Sequence, residues 1–144
     1  MSRANVDVVR RSYEVVNALG ETGPEFVDPE EVAPEFWARL APEFELHDRP
    51  DLPDARVYRG RDATKEFWRK LQELFVEVRW EPREFVDLGH AVVVDARVVV
   101  RGRGSDVPTE ADETAVFWFE DGLMTRLQAF ATREEALEAA RAPV

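Results

Sequence analysis

Apolar residues recur at helical spacing near the start of the chain. Val6, Val9, Tyr13, Val16 and Leu19 fall on one stripe, with Arg10, Arg11 and Glu14 between them. The spacing predicts a helix over Asn5 to Leu19, with Gly20 placed to stop it. Asp28-Pro29-Glu30-Glu31 has the order of a capped helix start: an acceptor side chain, a proline whose missing N–H costs nothing, then acids near the positive helix end. Pro34 should divide this region into two short turns, the second carrying Phe36, Trp37 and Leu40. FELHD then alternates with period two: Phe44, Leu46 and Asp48 on one face, Glu45 and His47 on the other. The stretch PDLPDARVYRG reads as a loop, and a third helix is expected from about Asp62 to Phe75, its core face formed by Phe67, Trp68, Leu71, Leu74 and Phe75.

The remainder reads as strand. Val78 to Leu88 is one, with Pro82 marking an edge or a bulge. Gly89-His90 turns the chain into AVVVDARVVVR, Ala91 to Arg101. GRGSDVPTEAD is a hairpin loop, Glu113 to Glu120 a strand, Asp121-Gly122 a tight turn, and Leu123 to Ala131 the returning strand. Thr132 to Glu135 is a capping box for a last helix, EEALEAAR. No linker or repeat interrupts this order, and 144 residues suit one domain, 1–144. Strands segregated from helices imply an α+β fold with an antiparallel sheet and helices on one face. VVVDARVVV and AVFWF, however, are apolar on both faces. The second face needs cover, and a second subunit would supply it.

Charge narrows the partners. Thirty acidic against 19 basic residues leave a net charge of −11, which repels phosphate backbones and anionic lipid, so neither nucleic acid nor a membrane is expected. MSRANVDVVRRSYEVVNAL lacks the continuous apolar core of a signal peptide. The absence of cysteine excludes disulfides, thiolate metal sites and a cysteine nucleophile, and it fits a cytoplasmic protein. His47 and His90 have no metal-ligand spacing, and Gly102-Arg103-Gly104 opens no helix that could hold a phosphate. No metal or cofactor is expected.

YRGRDATKEFW between the first strand and its helix, and FEDGLMTRLQAFATREEALEAA at the end, resemble the SnoaL-like polyketide-cyclase group of the nuclear transport factor 2-like superfamily. The resemblance covers nearly the whole chain. It implies a strongly curved antiparallel sheet wrapped around N-terminal helices, a cone with an apolar internal pocket, and dimerisation through the outer sheet face. It also implies a range of activities (ketosteroid isomerases, cyclases, epoxide hydrolases, dehydratases) alongside members that only bind, since one fold hosts many functions. Asp48 is similar in position to the isomerase base and Tyr13 to the tyrosine that holds the oxyanion. The second acid of that oxyanion pair would fall at Ala115, with Glu113 two residues earlier on the same face, so that isomerase pair is incomplete.

The residues themselves leave each candidate two readings. Asp48 is a cavity base or a strand-end carboxylate that caps the loop. Tyr13 is a donor in the cavity or a core tyrosine. Glu113 is a second acid or part of the charged surface around Glu110, Asp112 and Glu120. His47 becomes a proton-transfer group only if the strand end twists. Asp95 and Arg97 share a face, as a functional pair or a structural ion pair. Phe44, Leu46, Trp37, Trp68, Phe117, Leu127 and Ala129 are the expected pocket wall, with small residues leaving room. Trp118 with Val116 would form the interface between copies. A cofactor-independent isomerase, cyclase or hydrolase acting on an apolar ring-bearing molecule, a binding protein for such a molecule, and a dimeric scaffold all remain open.

Overall fold

The computed structural model describes residues 2–19 and 28–142. The expected stop at Gly20 lies outside them. The elements are α1 Ser2–Leu19, α2 Pro29–Val32, α3 Pro34–Trp37, β1 Leu40–His47, β2 Val57–Arg59, α4 Gly60–Leu74, β3 Phe75–Asp87, β4 Ala91–Gly102, β5 Thr109–Glu120, β6 Leu123–Phe130 and α5 Arg133–Arg141. Local chemistry sets several boundaries. The Asp28 carboxylate accepts the Glu30 N–H at 2.9 Å to start α2, and Pro34 opens α3. Asp121 and Gly122 both take positive φ, 53° and 80°, as the tight turn between β5 and β6 requires. The Thr132 hydroxyl accepts the Glu135 N–H to start α5.

Six strands form one curved, unclosed sheet in the order β2-β1-β6-β5-β4-β3. Hairpin neighbours are antiparallel. The pair β1–β6 is parallel, because these strands meet across the chain rather than through a turn. Register shifts insert an extra residue at Arg83 of β3 and at Thr125 of β6, opposite Trp118/Phe119, and each bends its strand and increases its twist. Pro82 thus sits both on an edge strand and beside a bulge.

Several boundaries differ from the pattern-based reading. Leu40, expected in the second helical turn, instead opens β1, which runs to His47. Val57–Arg59 pairs with β1 through Tyr58 and Leu46, although three residues carry no visible alternation. Thr109 to Asp112 belongs to β5, since these exposed residues pair with Arg97 to Val100 of β4. Helix α4 begins at Gly60. It ends before Phe75, which opens β3, and Leu74 is 63% exposed rather than core.

The two-sided apolar strands have their explanation within the chain. Val92, Val94, Ala96, Ala115 and Phe117 face inward and pack with Val9, Tyr13 and Trp37. Ala91, Val93, Val116, Trp118 and Phe130 face outward and lie under Ala136 and Ala140 of α5. Val116 and Trp118, expected at an interface between copies, are buried under this helix, with the Arg126 guanidinium 4.4 Å from the Trp118 ring centre. Cover for the second face therefore does not require a second subunit. Each fully buried Val contributes about 1.5–3 kcal/mol.

Candidate functional site

The cavity of the cone holds about 250 Å³, just under the usual range of roughly 300–1,000 Å³ for ligand pockets, so an occupant must be small. Strand parity places Glu113, Ala115 and Phe117 of β5 and Leu127 and Ala129 of β6 along one wall. Phe44 and Leu46 of β1, Trp37 of α3 and Trp68 of α4 complete the apolar lining. All seven residues expected in the wall are there. The Ala115–Ala129 cross-strand pair leaves the space that larger side chains would fill.

All three candidate polar groups, Tyr13, Asp48 and Glu113, line this one cavity. Their surroundings differ. Tyr13 projects from α1, is 7% exposed, and packs edge-on against Phe85 and Phe117, with ring centres 6.4 and 5.8 Å away. Burial, and then the nearby Glu113 charge, push its hydroxyl far above the usual phenol range. It stays an O–H donor at every working pH. Asp48 stands at the end of β1, half-buried, and its Oδ2 accepts the Arg56 N–H at 3.1 Å. Its own N–H donates to the Arg56 carbonyl at 3.0 Å. The carboxylate therefore closes the base of the 48–56 loop while also bordering the cavity.

Glu113 is half-buried at the edge of the apolar cavity. Burial raises its pKa above the ordinary carboxylate range; the Trp80 indole N–H, donating to Oε1 at 3.1 Å, and the more distant Arg49 charge partly oppose that rise. Among the described residues no cation forms a salt bridge with it. Several other polar groups in the lining are occupied. The Ser12 hydroxyl donates to the Val9 carbonyl at 2.6 Å, and that of Thr64 to the Gly60 carbonyl at 2.9 Å. Arg49, beside the exposed Leu52 at the rim, is held by both oxygens of Asp51 at 3.0 and 2.7 Å. The Tyr13 hydroxyl and the Glu113 carboxyl, the latter with the Trp80 indole N–H as its donor, also border the cavity.

His47 reaches the cavity wall, but its Nε2 pairs with Glu45 Oε1 at 2.8 Å, and this contact is the main cause of the lowered Glu45 pKa. His90 bonds the Ala140 carbonyl at 2.7 Å, on the far side of the sheet. Asp95 and Arg97 do not pair with each other. Asp95 meets Arg133 and Thr114, and Arg97 meets Glu110 across the β4–β5 ladder, so both act structurally. Phe130 lies under α5, outside the cavity. The sequence reading passed over Trp80 and Asn17. A signal existed for both: Asn17 follows Tyr13 by four residues, and Trp80 shares strand parity with the buried Val78. Among the described residues no group of three His, Asp or Glu side chains is arranged around a metal position, and no helix is long and apolar enough to cross a membrane.

Known structures share this architecture. An NTF2-like protein of unknown function from Burkholderia pseudomallei matches with a TM-score of 0.71 at 22% identity, over 96% of this chain and 98% of that one. A protein described as a SnoaL-like polyketide cyclase from Jannaschia matches with a TM-score of 0.70 at 18% identity, over 99% of this chain and 95% of that one. TerC, co-crystallised with polyporic acid, matches with a TM-score of 0.70 at 18% identity, over 96% and 99% of the two chains. Likeness at these identities establishes the fold alone. No curated protein sequence matches significantly. The SnoaL-like domain model matches residues 9–127, from α1 into β6, and by this match the chain belongs to the SnoaL-like domain family.

Proposed function

We propose that the cavity binds a small, apolar, ring-bearing molecule with a carbonyl group, and that Glu113 exchanges a proton with the carbon beside that carbonyl. The observation that carries this reading is a half-buried carboxylate bordering a cavity lined largely by aromatic side chains, with one neutral N–H donor and a raised pKa. Desolvation makes the ionised form a stronger base than a surface glutamate and keeps the protonated form available as an acid. In the forward step the C–H bond breaks, its proton passes to a Glu113 oxygen, and its electron pair moves through the new C=C bond onto the carbonyl oxygen. The Tyr13 hydroxyl, which burial keeps protonated, donates to that oxygen as charge develops. Return of the proton to the same carbon gives exchange, and to another carbon isomerisation or ring closure. Asp48 is the second acid bordering the cavity, and its bond to Arg56 favours a role in shaping the entrance.

A binding protein of the same shape is the second reading. The cavity's modest volume and its occupied hydroxyls support it. One experiment separates the two: cyclic ketones and enones are incubated with the protein in D2O and followed by proton NMR. Exchange at the α-carbon should saturate with ligand, and Glu113→Gln should reduce it by roughly 10²-fold or more. Saturable binding with no exchange above buffer selects the binding protein. The absence of both ends the small-molecule reading.

Assembly through the outer sheet face is a separate proposal. Beside α5 that face carries Glu77, Arg79, Arg97 and Glu110, so a partner copy would meet charge rather than an apolar patch. Sedimentation velocity reads it directly: a dimer supports it and a monomer ends it.

A further inference from the structure

The acid is aimed by a strand that has no neighbouring strand on one side. β3 is the last strand of the sheet, and at Trp80 its outward N–H and C=O have no strand to pair with. Asn17 of α1 takes that place. Its Nδ2 donates to the Trp80 carbonyl at 2.8 Å, and its Oδ1 accepts the Trp80 N–H at 2.8 Å. A side-chain amide thus repeats, on a helix, the two-bond pattern of a neighbouring peptide group. Both bonds are at good length and part-buried, and the partners are 63 residues apart in sequence.

The other end of the same residue faces the cavity. The Trp80 ring lies edge-on to Trp68, with ring centres 6.2 Å apart, and its Nε1–H donates to Glu113 Oε1 at 3.1 Å. An indole nitrogen can donate but not accept, so this contact favours the carboxylate over the carboxylic acid at that oxygen. The Trp80 backbone is clamped by Asn17, its ring is steadied by Trp68, and its one polar atom meets the acid. Asn17 also lies four residues after Tyr13 on α1, so one helix carries both the candidate oxyanion donor and the clamp.

We infer that Asn17 and Trp80 are positioning residues for Glu113: the Asn17 amide fixes the edge strand at Trp80, and the Trp80 indole N–H orients the Glu113 carboxylate and favours its ionised form. This rests on the reading of Glu113 as the proton-exchanging group and names what holds it in place. Asn17 acts only through Trp80, which separates it from a residue that merely docks α1.

The test is Glu113 titration, followed by carbon-detected NMR of the side-chain carboxyl in protein without ligand. Trp80→Phe should raise the Glu113 midpoint, with a gain in proton affinity on the order of tenfold, as expected for loss of a hydrogen bond to a charged group. Asn17→Ala should raise it in the same direction by less. In the double variant the midpoint should match that of Trp80→Phe alone. In unmutated protein the Trp80 indole N–H resonance should move with the same midpoint as Glu113, and this measurement stands even if a variant does not fold. An unmoved midpoint in Trp80→Phe, or an indole resonance indifferent to Glu113, overturns the assignment to Trp80. A shift in Asn17→Ala that persists in the double variant, or a loss of stability with no shift, overturns the assignment to Asn17. If Glu113 in unmutated protein titrates as an ordinary surface glutamate, the functional reading itself has failed.

Discussion

Glu113 and Glu84 lie on neighbouring parts of one sheet, and the protein treats them in opposite ways. Glu84 is on the outer face, exposed, with Arg133 donating to its two oxygens at 3.1 and 3.2 Å; that pairing lowers its pKa. Glu113 faces the cavity with a single indole donor, and burial raises its pKa. The outer face matches its charges with partners: Arg97 with Glu110, Arg79 with Glu77 and Glu81, Arg133 with Glu84 and Asp95. Inside, Glu113 has no salt-bridge partner among the described residues, with only the more distant Arg49 charge opposing the effect of burial. Paired surface charge adds little stability, whereas a buried charge without a counter-ion costs stability and is retained where chemistry uses it. The contrast is the physical basis for placing the proposed chemistry on the inner face.

The largest expected effect tests what covers the outer face. Trp118→Ala should cost about 3–5 kcal/mol in denaturant unfolding, because the ring is buried under α5 within one chain. The loss should not depend on protein concentration. A loss that vanishes on dilution would mean that a second copy, not α5, buries this ring.

Next, Glu113→Gln should raise the melting temperature at neutral pH. The amide keeps an oxygen for the Trp80 N–H and carries no charge to desolvate. Because burial raises the folded pKa of Glu113, its protonated form is the better tolerated one. The wild-type protein should therefore gain stability from this group as pH falls from its folded midpoint toward the unfolded value, about 4.3. The advantage of the variant should shrink over the same window. Glu84 has the opposite sign. Arg133→Ala should produce a small loss at neutral pH that fades in acid, as Glu84 protonates, and is screened in high salt. An effect of Arg133→Ala as large as that of Trp118→Ala would break the comparison.

Much of the fold is legible in the chain because period and turn chemistry are local. The α1 stripe, the Asp121-Gly122 turn, the α5 cap and the alternation from Phe44 to Asp48 can each be read from a few residues. β2 could not be read, since three residues gain their identity only from pairing with β1. The ranking of the acids was hidden for the same reason. Parity points Asp48 and Glu113 inward alike, and what separates them is distant. The Arg56 N–H, from eight residues along, occupies Asp48, while the donor to Glu113 comes from 33 residues away on β3. The covering of Trp118 by α5 is likewise a tertiary fact. A run of apolar residues shows that cover is needed, not which element supplies it.

The central claim is that the cavity holds Glu113 as a desolvated acid. Its carboxyl resonance, followed across pH in the unmodified protein, tests this most directly. A midpoint clearly above that of an unstructured glutamate, moving further when a cyclic ketone saturates the protein, is the predicted result. A midpoint at or below the ordinary value, unmoved by any such ligand, would contradict it.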